Sequence, residues 1–241
     1  MKLGKLAPRD DDRTLQLASY LTPALPRPPA GFGVVPSASV KWGMLGNDTV
    51  GDCTVAAAAH QDMAWTAATD KPDRVVTTAK VLAAYSAITG YVPGDESTDT
   101  GAVELDVLNY WRKHGICGER ITGYAKAHPA QARVACWLFG GLYIGLALPL
   151  SAQDQHVWDV GAGPDGEPGS WGLHAVPIIG YDHEGLTCIT WGAPKRMTWA
   201  FYHAYTDEAY AVLGKDYLNT VNDETPAGLN LSAWLADLEK L

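Results

Sequence analysis

Two residues of this 241-residue chain have the type and the setting for nucleophilic chemistry, Cys53 and His174. Cys53 closes the run GNDTVGDC and opens TVAAAAHQDMAWTAAT. Gly51 supplies a permissive turn and Asp52 is a preferred N-cap residue. The alanines at 56–59, with Met63, Ala64 and Ala67, predict a buried helix of about four turns. Cys53 then takes the first helical position. Unpaired backbone N–H groups and the positive end of the helix dipole favour a thiolate there. The neighbouring Asp52 charge opposes it.

A thiol nucleophile needs a base beside it. Of seven histidines, His60 lies further along the Cys53 helix and reads as a hydrogen-bonded core residue. His114 and His128 flank helix ends, His156 and His183 lie in a loop and a turn, and His203 stands near the end of an element. His174 differs, because it opens the apolar run HAVPIIGY directly after a glycine-containing turn. Its ring can project from a sheet edge into a cleft. With DHEG as the hairpin turn, the segment LTCITWG returns Thr190, Trp191 and Gly192 beside it. A hydroxyl at Thr190 can accept from the imidazole N–H and fix its tautomer. Trp191 can cover the pair from water.

The elements that must position these groups fall into four stretches. Residues 1–40 carry six prolines and predict an extended arm over the surface, with a short helix near 14–20. Residues 41–115 form a helical lobe, with further helices at 77–88 and 102–114. Residues 116–222 turn to sheet: a helix at 129–139 is followed by strands at 140–150, 174–181 and 186–192, and by a fourth at 197–203. Residues 223–241 read as a polar linker and an amphipathic helix, with Leu231, Trp234, Leu235 and Leu238 on one face. That helix docks on the body of the protein or binds a protein partner. Helices first and sheet second make an α+β protein of two lobes with a cleft between them.

Composition excludes several classes. A net charge of −9 and a pI near 5.1 argue against nucleic-acid binding. The most apolar stretch, 134–150, is interrupted by three glycines and a proline, so no membrane span is expected. The first residues lack the apolar core of a signal peptide, which points to the cytoplasm if to any compartment. Cys117, Cys136 and Cys188 have neither metal-ligand spacing nor a disulfide pattern and read as structural. No metal and no cofactor is called for.

In order and spacing these segments resemble the papain-like cysteine peptidases. That family places a Gln and a Gly-containing turn before a Cys that begins a central helix. A His-Ala-Val-type strand ending in Gly-Tyr comes much later, and an Asn-Ser-Trp-Gly segment follows. The matches here are 47–53, LHAVPIIGYD and ITWG, and GGLYIGLALP and YWRKHGI add to them. The likeness runs from about Trp42 to Tyr202, leaving arm and tail outside. It implies the two-lobe papain-like fold and a peptide or protein substrate. It makes Cys53 the nucleophile, His174 its base, Asn47 the oxyanion-hole residue in place of glutamine, and Trp191 the shield. Thr190 stands near the family's asparagine, whereas Asp182 lies at the far end of the strand from His174. Two readings follow. One is a hydrolase of peptide, isopeptide or related amide bonds acting through a Cys53 thioester. The other is an inactive papain-like scaffold with a binding or structural role, for example in a virion or an assembly.

Overall fold

The computed structural model describes residues 1–33, 40–68, 74–214 and 231–240. The predicted linker and the last residue of the tail fall outside those residues. After a two-residue strand β1 (Phe32–Gly33), three helices form the first lobe: α1 (Cys53–Ala67), α2 (Thr78–Thr89) and α3 (Glu104–His114). Then come β2 (Ile121–Lys126), α4 (Ala132–Phe139), β3 (Leu142–Leu148), β4 (Val157–Trp158), β5 (Gly172–Tyr181), β6 (Gly185–Thr190), β7 (Ala193–Thr198), α5 (Trp199–Tyr205) and β8 (Thr206–Gly214). The tail helix is α6 (Leu231–Leu238).

Helix α1 is buried on every side and only its last residue escapes burial, which suits the alanine-rich sequence of a helix surrounded by protein. It packs on β5, the strand that begins two residues before His174. The sheet runs β2-β8-β3-β5-β6-β7-β4, with β1 added against β5. β5 lies between β3 and β6 and pairs antiparallel with both. One hydrophobic cluster gathers α1 with Trp65, Trp111 and Tyr85, and a second lies around α4, α5 and the strands they cover. Because β5 contributes Ala175 and Ile179 to the first cluster and Val176 and Ile178 to the second, it joins the lobes. His174 stands near the start of that joint.

Two local expectations are corrected. Residues 197–203 do not form a strand: β7 ends at Thr198, whose hydroxyl accepts from the Phe201 N–H at 3.0 Å and caps α5. The aromatic residues after it favour strand by propensity, and the cap overrides that preference. The arm also does not run over the surface throughout. Gly4 packs on Gly51 before α1, and the Lys5 side chain is buried against Asp207 and Glu208 at the end of the sheet strand β8. Further on, Leu17 and Tyr20 are buried. The tail helix packs on the body, with the buried Trp234 stacked on Tyr20 at 5.3 Å and edge-on to Phe139 at 5.2 Å.

Candidate active site

Cys53 is the first residue of α1 and 1% exposed. Asp52 occupies the cap position, but its side chain makes no capping hydrogen bond. Its carboxyl is folded toward Gly46 and fully buried. Burial pushes its pKa up to about 8. Asp52 therefore brings less than the full negative charge beside the thiol that its sequence position suggests.

The thiol itself overturns the expected thiolate. Burial pushes Cys53 from its ordinary 9.0 up to about 12, although the backbone amides of Ala175 and Gly4 point at the sulfur and pull the other way. That rise corresponds to about 4 kcal/mol in favour of the protonated form. A helix end supplies about 0.3–1 kcal/mol, so burial wins.

His174 is 1% exposed, and burial lowers its pKa to about 3. Its Nε2 lies 2.8 Å from Thr190 Oγ1. Nδ1 has no hydrogen-bond partner among the described residues, the thiol included. The hairpin sets this geometry: β5 and β6 pair through Ile178 and Cys188 around the Asp182 turn, which carries Thr190 back toward the histidine. Trp191 stacks on the imidazole with centroids 4.5 Å apart and rings 15° from parallel. It does so from a left-handed backbone, φ +45°, which is rare for a bulky residue. Asp182 stays at the turn, where it pairs with Arg196.

Asn47 is buried, and its Nδ2 donates to Val50 O at 3.1 Å and to Lys2 O at 3.0 Å. His60 is a core residue, its Nε2 3.1 Å from Gly43 O, with burial lowering its pKa to about 4. The loop it supports pairs Gly43 with Gly192, beside Trp191. Asp99, a residue with no sequence signal, fixes the turn before Cys53. It accepts from Gly51 N–H at 2.9 Å, from Tyr85 Oη at 2.7 Å and from Lys2 Nζ at 2.5 Å.

The arm closes the site. Lys2 N–H donates to Asn47 O at 3.0 Å, Ala102 N–H to Gly4 O at 2.9 Å, and Leu6 N–H to Ala102 O at 2.9 Å. Gly4 thus turns its N–H to the sulfur and its carbonyl oxygen to Ala102. A Cβ at Gly4 would stand 1.9 Å from Gly51 O, so only glycine lets the arm lie this close.

No family model matches the sequence, and no curated protein does. Solved structures do resemble it. Xylellain, a cysteine protease from Xylella fastidiosa, aligns with a TM-score of 0.67 at 14% identity over 88% of this chain and 96% of that one. Procathepsin B S9 from Trypanosoma congolense gives 0.57 at 10% identity over 88% and 86%. The cysteine protease and lectin-like domains of Cwp84, a surface layer associated protein of Clostridium difficile, give 0.54 at 8% identity over 80% and 54%. The fold is that of the papain-like cysteine proteases, carried by a divergent sequence. Among the described residues no group of three or more His, Cys, Asp or Glu side chains could hold a metal ion, and no helix is long and apolar enough to cross a membrane.

Proposed function

We propose that the chain is a cysteine hydrolase of peptide or related amide bonds, closed in this conformation by its own first residues. The observation that carries this reading is the setting of His174. One ring nitrogen is committed to Thr190, the other is free, and the next residue's amide points at the Cys53 sulfur. With Nε2–H donating to Thr190 Oγ1, Nδ1 is the basic nitrogen. It takes the thiol proton as sulfur attacks the substrate carbonyl carbon. Asn47 Nδ2 and the Cys53 N–H hold the oxyanion, the Asn47 hydrogen having been released by Lys2 O when the arm leaves. Nδ1–H then protonates the departing amine and leaves an acyl thioester. Water, deprotonated by Nδ1, releases the acid and restores the thiol.

The neutral, buried pair belongs to the closed chain. Removing the arm admits water to the sulfur and lowers the cost of charge there. With Gly4 packed on Gly51 and bonded to Ala102, and Lys5 buried against Asp207 and Glu208, the arm acts as a strap. The test uses the full-length Lys5→Ala chain, which weakens the strap, and a quenched-fluorescence peptide library. Cleavage is expected, with loss in Cys53→Ala and His174→Ala. Folded protein that cleaves nothing in the library would favour the scaffold reading.

A further inference from the structure

One side chain of the arm is held more firmly than a strap needs. The Lys5 side chain is fully buried, with Nζ 2.9 Å from Asp207 Oδ2, 2.8 Å from Glu208 Oε1 and 3.2 Å from Leu6 O. Burial opposes its charge, yet Glu104 and Glu208 carry its pKa above the ordinary value. Glu104 is itself fully buried, and among the described residues neither of its oxygens has a hydrogen-bond partner. Burial and the neighbouring Glu208 push the Glu104 pKa well above the ordinary carboxylate range, so the direct contacts to the ammonium are those of Asp207 and Glu208.

The floor of the pocket is shaped for the same purpose. Gly145 lies in the middle of β3, where glycine weakens a strand, and its φ lies outside the left-handed region. A Cβ there would meet Lys5 Cε at 2.1 Å and Asp207 Oδ1 at 2.4 Å. Its glycine identity therefore reflects the space the lysine stem takes. In register Gly145 stands between Ala175 on β5 and Glu208 on β8. Ala175 follows His174 on β5, the strand on which α1 packs, so the pocket is one strand from the histidine.

We infer that Gly145, Glu104, Asp207 and Glu208 form a cation-accepting specificity pocket. Lys5 fills it in the closed chain, and a lysine or arginine side chain of the substrate takes its place when the arm leaves. The substrate half of this inference rests on the hydrolase reading; the pocket half does not. A carboxylate pocket with a glycine floor suits a long unbranched cation and rejects the neutral chain of the same shape, because its carboxylates would be left unpaired.

The test has two parts, each sufficient alone. Full-length Lys5→Ala lacks the atoms that n-propylammonium supplies. Saturable stabilisation of its thermal midpoint by n-propylammonium, with none from 1-propanol at equal concentration, is expected. Equal effects from both, or none from either, would overturn the pocket. In the second part, Cys53 of the same chain is protected from iodoacetamide by acetyl-Leu-Gly-Lys-Leu-amide at about tenfold lower concentration than by its norleucine analogue. Gly145→Ala, with Lys5 and all three acids intact, should expose Cys53 to iodoacetamide and abolish that preference. Unchanged protection of Cys53 in Gly145→Ala contradicts the assignment. Lysine preference without peptide cleavage would remove the hydrolase reading and leave the pocket standing. Cleavage with no lysine preference would do the reverse.

Discussion

The Trp191 ring lies flat against the His174 imidazole, 4.5 Å between centroids, and reaches it from a backbone at φ +45°. A bulky residue holds that conformation only where its surroundings impose it. Trp171, 5.4 Å from Trp191, and Trp158, edge-on at 6.1 Å, extend the aromatic wall behind the histidine. The stack excludes water from the ring, and that burial holds the imidazole neutral. Trp191→Ala should raise the His174 pKa by about 1–3 pH units, with Trp191→Phe close to wild type. NMR titration of the His174 ring reads the difference. An unmoved pKa in Trp191→Ala would mean that other groups keep the ring dry.

Among the described residues, Thr190 is the one group hydrogen-bonded to the histidine ring. Thr190→Val keeps the shape of the side chain and removes the oxygen, leaving a buried imidazole with both nitrogens unpartnered. A loss of about 1–3 kcal/mol in urea-induced unfolding is expected, with most of it restored by Thr190→Ser. Turnover, measured on the arm-weakened chain, should fall in Val and recover in Ser. Equal stability of Val and Ser would show that the hydroxyl does not hold the ring.

Asp52 gives a pH signature. Its pKa is raised from 3.8 to about 8, so the folded chain keeps a proton that the unfolded chain has lost. This site's contribution to stability therefore declines as pH rises from about 4 to about 8 and is level above that. Asp52→Asn carries no charge at any pH. Its stability advantage over wild type should be small at pH 4 and should grow to the order of 2–4 kcal/mol by pH 9. A constant difference across that range would place a hydrogen-bonded or solvated carboxylate at position 52.

Much of this site was legible in the sequence because its parts are local. The alanine run, the glycine turn before Cys53 and the length of the DHEG hairpin place Cys53 on α1 and Thr190 beside His174 without tertiary information. What escaped depends on contacts far apart in the chain. Proline content predicts that the arm is extended but not that Gly4 crosses the sulfur. Nothing around Glu104, Gly145 or Glu208 announces a shared pocket, since each reads alone as an ordinary element residue. The thiolate expectation failed for a related reason. A helix end is visible in sequence, whereas complete burial under another segment is not, and burial is the larger effect.

The central claim is that Cys53 forms a covalent thioester with His174 as its base. Intact-protein mass spectrometry tests it most directly, on the full-length Lys5→Ala chain mixed near pH 7 with an acetyl-lysine p-nitrophenyl ester and quenched in acid. A single acyl adduct mapping to Cys53 is predicted, absent in Cys53→Ala and formed at least about a hundredfold more slowly in His174→Ala. An adduct that forms equally fast without His174, or folded protein that forms none at Cys53, would contradict the account.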